Sequence, residues 1–143
     1  MLSDKTGQCM CGAVKFSASG VPNDFSSCYC KTCQRWVGTA YRGVLVPTES
    51  LTISGRENIS VFVSSAFAER ANCKKCGSAI WWRLTAGPYV GKTSISLGLL
   101  DDTDGMVLSG ELFVDFKNST DEIPEGISQM TSEEAAKIVA GFV

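Results

Sequence analysis

Histidine is absent from the 143-residue sequence. That removes the side chain most used as a general base near neutral pH, and the commonest neutral zinc ligand. Long apolar runs are missing too: none approaches the roughly 18 residues that a bilayer-crossing helix needs. The opening segment, Met1 to Thr6, is short and polar, unlike the apolar core of a secretion signal. No basic tract stands out and the formal charge is −2. A nucleic-acid interface needs a concentrated cationic face, so none is expected. Repeats, low-complexity stretches and linkers are also lacking. The expectation is one cytoplasmic domain over residues 1–143, bound to neither membrane nor nucleic acid.

Cysteine is what the sequence has in number. Seven is odd, so a closed disulfide framework would leave one thiol over. In a reducing compartment thiols stay free or hold metal. With no histidine to share the work, any zinc sits among thiolates. The remaining composition, 44% hydrophobic and 20% charged, is that of an ordinary globule.

The patterning is that of strands. Ala13 to Ala18 alternates, placing Val14, Phe16 and Ala18 on one face. Gly43–Val46, Leu51–Ser54 and Ile59–Val63 are apolar or β-branched runs, with Pro47, Gly55 and Asn58 as turn residues beside them. Ser78–Leu84, Ser94–Leu99 and Glu111–Phe116 predict three more strands. Asp101 to Gly105 reads as a solvated turn, because the remaining ligands of a calcium loop are missing. One helix is expected, at about 131–142, opened by Thr131 and Glu134 at capping-box spacing. Many short strands and one terminal helix predict a mainly β, antiparallel fold rather than βαβ units. A redox Cys-x-x-Cys of the thioredoxin kind would want the latter.

The cysteines fall into three groups. Cys73-Lys74-Lys75-Cys76-Gly77 has the form of a zinc knuckle, in which two intervening residues turn both sulfurs toward one ion. Cys9-Met10-Cys11-Gly12 needs a tight bend, which Gly12 can supply. These pairs offer four thiolates, enough for a closed tetrahedral site. Cys28, Cys30 and Cys33 remain, and three ligands with one exchangeable position is the arithmetic of a reactive zinc. Spacing leaves open that one ligand is shared between groups, and iron or an iron–sulfur cluster competes with zinc.

Three segments in order, Gly7 to Phe16, Cys28-x-Cys30-x-x-Cys33-Gln34-Arg35 and Cys73-x-x-Cys76-Gly77-Ser78, resemble the family of glutathione-dependent formaldehyde-activating enzymes and centromere protein V. Leu100-Asp101-Asp102 and Glu111 to Val114 extend the likeness over about residues 7–116, leaving a C-terminal extension. The resemblance implies a zinc-stapled β-tent. It also implies two Zn2+ ions, one structural on Cys9, Cys11, Cys73 and Cys76, the other on Cys28, Cys30 and Cys33. Tyr29, Asn72 and Glu111 depart from the residues usual in the family.

The activity so implied is addition of the glutathione thiol to formaldehyde, as a carbon–sulfur lyase acting in either direction. The partners are a glutathione-like thiol and a small aldehyde. Three thiolates make zinc a weak electrophile but favour ionisation of an added thiol, so a sulfur nucleophile is expected. Lys31, Arg35 and Arg42 are the candidate substrate contacts, placed to offset anionic charge, although solvated positions are ordinary for such residues. Of Trp81 and Trp82, adjacent on a strand, one must face the core. Tyr29 lies between two candidate ligands, but a phenol with an ordinary value near 10 is a poor base. The competing readings are a non-catalytic zinc-stabilised binding module and a thiol redox or metal-handling protein.

Overall fold

In the computed structural model, which describes residues 2–119, 121 and 125–138, the chain is mainly β. Its strands are β1 (Leu2–Gln8), β2 (Lys15–Pro22), β3 (Asp24–Cys28), β4 (Tyr41–Pro47), β5 (Leu51–Ser54), β6 (Ile59–Ser65), β7 (Ala68–Cys73), β8 (Ala79–Leu84), β9 (Lys92–Ser96), β10 (Val107–Leu112) and β11 (Ser128–Met130). Two short helices, α1 (Lys31–Val37) and α2 (Ser132–Ile138), complete it. One sheet runs β1-β2-β5, the other β11-β10-β3-β4-β9-β8-β7-β6. Pairing is antiparallel except where β10 meets β3 and β11.

The alternation holds within β2, while Val14, expected on the same face, precedes the strand and packs in the cluster around Cys9. Phe16 and Ala18 are buried while Lys15, Ser17 and Ser19 face solvent. That face packs on Val44 and Val46 of β4 and Ile95 of β9, forming the core between the two sheets. Burial of such side chains contributes roughly 1.5–3 kcal/mol each.

Some elements differ from expectation. Helix α1 begins inside the middle cysteine cluster. Cys30 is its N-cap, its sulfur accepting from the Cys33 N–H at 3.3 Å. Gly38, with φ 82°, ends it by donating its N–H to the Gln34 carbonyl at 2.7 Å. The strand expected over Glu111–Phe116 stops at Leu112, because Phe113 adopts φ 59° and turns the chain into a 3-10 segment over Val114–Phe116. Similarly, Ser94–Leu99 divides into the end of β9 and a 3-10 turn over Leu97–Leu99. The Thr131–Glu134 capping box forms in both directions, through Glu134 N–H to Thr131 Oγ1 (3.2 Å) and Thr131 N–H to Glu134 Oε2 (3.4 Å). Helix positions beyond Ile138 lie outside the described residues. Among the described residues no helix is long and apolar enough to cross a membrane.

Register sets the two faces of the larger sheet apart. Arg70 of β7 lies opposite Trp82 of β8, and Ala71 opposite Trp81. Successive side chains point to opposite faces. Ala71, Cys73 and Trp81 join the cluster around Cys9, whereas Trp82 packs against the cluster around Cys28, Cys30 and Cys33.

Candidate metal and thiol site

Two turns of similar build bring the first four sulfurs together. After β1, the Cys9 N–H donates to the Val14 carbonyl (3.0 Å) and Gly12 returns to the Cys9 carbonyl (3.1 Å). After β7, the Cys73 N–H donates to the Ser78 carbonyl (3.0 Å) and Gly77 returns to Cys73 (2.9 Å). Gly12 and Gly77 both have φ 78°, a left-handed conformation that a Cβ would strain. The Met10 N–H donates to Ser78 Oγ at 3.0 Å, clasping one turn to the other.

The four sulfurs lie within 4.8 Å of one another. Cys9 Sγ to Cys11 Sγ is 3.7 Å and Cys11 Sγ to Cys73 Sγ is 3.8 Å. A sulfur tetrahedron around zinc at about 2.3 Å has edges of about 3.8 Å. The donor set therefore fits zinc in both number and spacing, and all seven cysteines are free of disulfides.

The second group comes from one continuous segment. Cys28 closes β3, Cys30 caps α1 and Cys33 lies on the first helical turn, three residues on and facing the same way. Their sulfurs also lie within 4.8 Å of one another, and all three are buried. Hydrogen bonds from Cys28 and Cys33 pull the Cys30 thiol down to about 3, with the Cys33 N–H and the Arg70 guanidinium adding to the effect. The contacts with Cys30 and Cys33, together with burial, push Cys28 well above its ordinary value. Three neighbouring anions repel, so protons are shared; a divalent cation is the group that lets all three ionise.

Beside these sulfurs is a cavity of about 260 Å³. Trp82, Leu84, Phe67 and Phe116 give it apolar walls, while Lys31, Thr32, Ser64 and Ser65 contribute polar groups. Arg70 also lines it, although only 6% exposed. Its Nη1 lies 3.5 Å from Cys33 Sγ, and its guanidinium carbon is 4.9 Å from the Trp36 ring centroid and 6.0 Å from that of Trp82. Among the described residues, no carboxylate lines it.

The sequence candidates separate here. Lys31 lies at the cavity, exposed. Arg35 is exposed on α1 and is not among the residues that line it. Arg42 is exposed, stands 5.8 Å over the Phe25 ring and lines a different depression with Tyr29 and Tyr41. Trp82 is the tryptophan of the cavity and Trp81 the core one, as strand geometry requires.

Arg70 escaped the sequence reading. It lies in Ala68-Glu69-Arg70-Ala71-Asn72-Cys73, a strand whose charges obscure its pattern, and its place opposite Trp82 is set by register rather than by local sequence.

The positions noted as departures are structural. The Tyr29 hydroxyl donates to Glu111 Oε1 at 3.2 Å, and Glu111 pairs with Lys117 at 3.3 Å, their side chains 2% and 4% exposed. Gln129 donates to the other Glu111 oxygen at 3.3 Å. Burial raises the Tyr29 value further, with Glu111 adding to it, so the phenol stays protonated and committed to this network. Asn72 accepts from Trp36 Nε1 (3.3 Å) and donates to the Gly77 carbonyl (3.3 Å), joining α1 to the knuckle. Gln34 Nε2 donates to the Tyr29 and Phe116 carbonyls at 2.6 and 2.9 Å, which fixes the helix beside the cavity.

Fold and sulfur groups define the class: a mainly β protein with two all-cysteine sites suited to a thiophilic metal. The model of the family described as glutathione-dependent formaldehyde-activating enzyme matches residues 4–115, and the chain belongs to that family. It is similar to an uncharacterized lyase of Schizosaccharomyces pombe, 27% identical over 135 residues that cover 93% of this chain and 95% of that one. A Halomonas elongata protein named as a candidate glutathione-dependent formaldehyde-activating enzyme is 31% identical over 83 residues, 52% of this chain and 53% of that one. A crystal structure of a Rhodobacter sphaeroides protein shares the fold, with TM-score 0.58 and 19% identity, covering 88% of this chain and 99% of that chain.

Proposed function

We propose that this protein is a cytoplasmic zinc-dependent carbon–sulfur lyase that adds a glutathione-like thiol to formaldehyde or a related small aldehyde, or removes it. Cys9, Cys11, Cys73 and Cys76 would hold a structural zinc. Cys28, Cys30 and Cys33 would hold a second ion with one position left for substrate. The reading is carried by the three buried sulfurs that converge beside an apolar cavity lined, among the described residues, by a buried cation and no acid.

Zinc held by three thiolates would carry a net negative charge, polarise a carbonyl weakly, and offer an added thiol a position in which it loses its proton. The chain supplies the rest. Phe67, Leu84 and Phe116 limit water around the reacting groups, which strengthens electrostatic interactions there. Holding sulfur and aldehyde together within this cavity supplies orientation, the effect such an addition most needs. Lys31, at the exposed side, can meet a carboxylate of the thiol's peptide body.

The test is the exchange between formaldehyde and its glutathione adduct, followed by NMR line exchange with and without protein. The spontaneous addition is the control that decides it. Exchange accelerated by wild type but not by Cys30→Ser supports the reading. Exchange equal to the spontaneous rate makes the protein a zinc-stabilised binding module instead.

A further inference from the structure

The guanidinium of Arg70 has more binding capacity than its neighbours use. One end, Nη1, meets Cys33 Sγ at 3.5 Å, and the cation lies against the faces of Trp36 and Trp82. Its Nε–H is buried with no hydrogen-bond partner among the described residues. The indole N–H of Trp82, the residue paired with it across β7 and β8, is likewise buried without one. Buried donors are rarely left so, because each unmade bond costs about 1–3 kcal/mol. Both side chains line the cavity beside the three sulfurs. A counter-charge for thiolates would need only the Nη1 contact; it gives no reason for the unpaired Nε–H of a side chain that lines the cavity.

We propose that Arg70 is a catalytic residue that receives an oxygen of the substrate, and that this cavity takes adducts carrying an anionic oxygen two or three bonds from their sulfur. The inference rests on the open three-cysteine site proposed above and adds to it the group that holds the reacting oxygen.

The reach of the side chain sets the distance. A guanidinium in contact with Cys33 Sγ serves atoms next to the sulfurs, whereas the carboxylates of a glutathione-like thiol lie many bonds from its sulfur. In the addition, the sulfur lone pair forms the C–S bond and the carbonyl π pair moves onto oxygen. The Arg70 N–H groups donate to that oxygen while its charge develops, and the proton given up by the thiol is finally returned to it. Reversal breaks the C–S bond and restores the carbonyl. A donor already in place for developing charge needs no reorganisation at the moment of reaction.

Mercaptoacetate and 2-mercaptoethanol test this, since they share a sulfur and differ in whether a carboxylate stands nearby. Calorimetric titration of the zinc-loaded protein, referred to thiolate concentration, should give mercaptoacetate an affinity about tenfold higher, the scale of one charge-assisted hydrogen bond. Arg70→Gln should reduce that preference to below twofold, and Arg70→Lys should restore part of it. In exchange kinetics Arg70→Gln should lower kcat with little change in the KM for thiol, a split that loss of a merely structural cation would not produce. Equal affinities in wild type overturn the inference even if Arg70→Gln fails to fold, and a preference that survives in Arg70→Gln overturns it as well. Binding of neither thiol removes both this inference and the proposed function; binding of both without discrimination removes only this one.

Discussion

Cutting the four-sulfur site should cost more stability than cutting the three-sulfur site, by an amount the chain connectivity sets. Cys11 and Cys73 are 62 residues apart and their sulfurs are 3.8 Å apart. Loop-closure entropy for a cross-link of that span is about 4 kcal/mol, against about 2 kcal/mol for a segment as short as Cys28–Cys33. The gap of about 2 kcal/mol is large beside a net stability of about 5–15 kcal/mol. With a urea slope of about 2 kcal/mol per molar, it separates the two unfolding midpoints by about 1 M. The variants are Cys73→Ser/Cys76→Ser, which removes the knuckle, and Cys28→Ser/Cys30→Ser, which removes two of the three clustered sulfurs. Each is unfolded in urea under far-UV circular dichroism, and its zinc is counted by native mass spectrometry. The knuckle variant should unfold at the lower midpoint, or already be unfolded. The other should stay folded with one metal. Coincident midpoints, or loss of both metals from the Cys28→Ser/Cys30→Ser variant, would refute the division into a structural and a reactive site.

Three further outcomes follow from local geometry. A chelator added to the zinc protein at neutral pH should remove one equivalent quickly and the second only as the protein unfolds, read with a colorimetric zinc indicator; a single release phase contradicts unequal sites. Phe113 is 1% exposed, with φ 59°. Phe113→Gly should therefore be more stable to urea than Phe113→Ala, by about 1 kcal/mol, since both lose the ring but only alanine keeps the left-handed strain. Ser132 donates to Asp115 from its hydroxyl (2.5 Å) and its N–H (2.8 Å), and these bonds hold the Asp115 carboxyl below its usual range. A depressed folded value stabilises above the unfolded one and is lost as pH falls through the folded one. The urea-midpoint gap between Asp115→Asn and wild type should thus be full at pH 7 and close in acid.

Sulfur was legible from the sequence because its spacing is local. Two residues between Cys73 and Cys76, and six from Cys28 through Cys33, confine each group whatever the rest of the chain does. The β2 alternation and the Thr131–Glu134 cap were legible for the same reason. Arg70, Asn72 and Glu111 were not, because what they do is decided by partners 37, 36 and 82 positions away. Helix α1 was hidden by its shortness and by a cap that is a cysteine rather than serine, threonine, aspartate or asparagine.

The two sulfur groups are coupled through register. Arg70 stands three residues before Cys73 on β7, so whatever anchors Cys73 also fixes which face of the sheet receives Arg70. A slip of one residue against β8 would move every β7 side chain to the opposite face, carrying the cation away from Cys33 and into the apolar cluster with Val14 and Ile80. A metal on the knuckle would resist that slip from the end of the strand. Asn72, bonded to both Trp36 and Gly77, ties the helix of the reactive group to the same point. A metal on the four-cysteine group would therefore act on the three-cysteine group mechanically, by holding one strand in one register. Loss of the knuckle metal should disturb Arg70 and the cavity first, before the core between the sheets gives way. Side-chain NMR of the Arg70 guanidinium during stepwise metal removal would show its environment change ahead of the Val44 and Val46 methyl signals; simultaneous change would mean that register is held elsewhere.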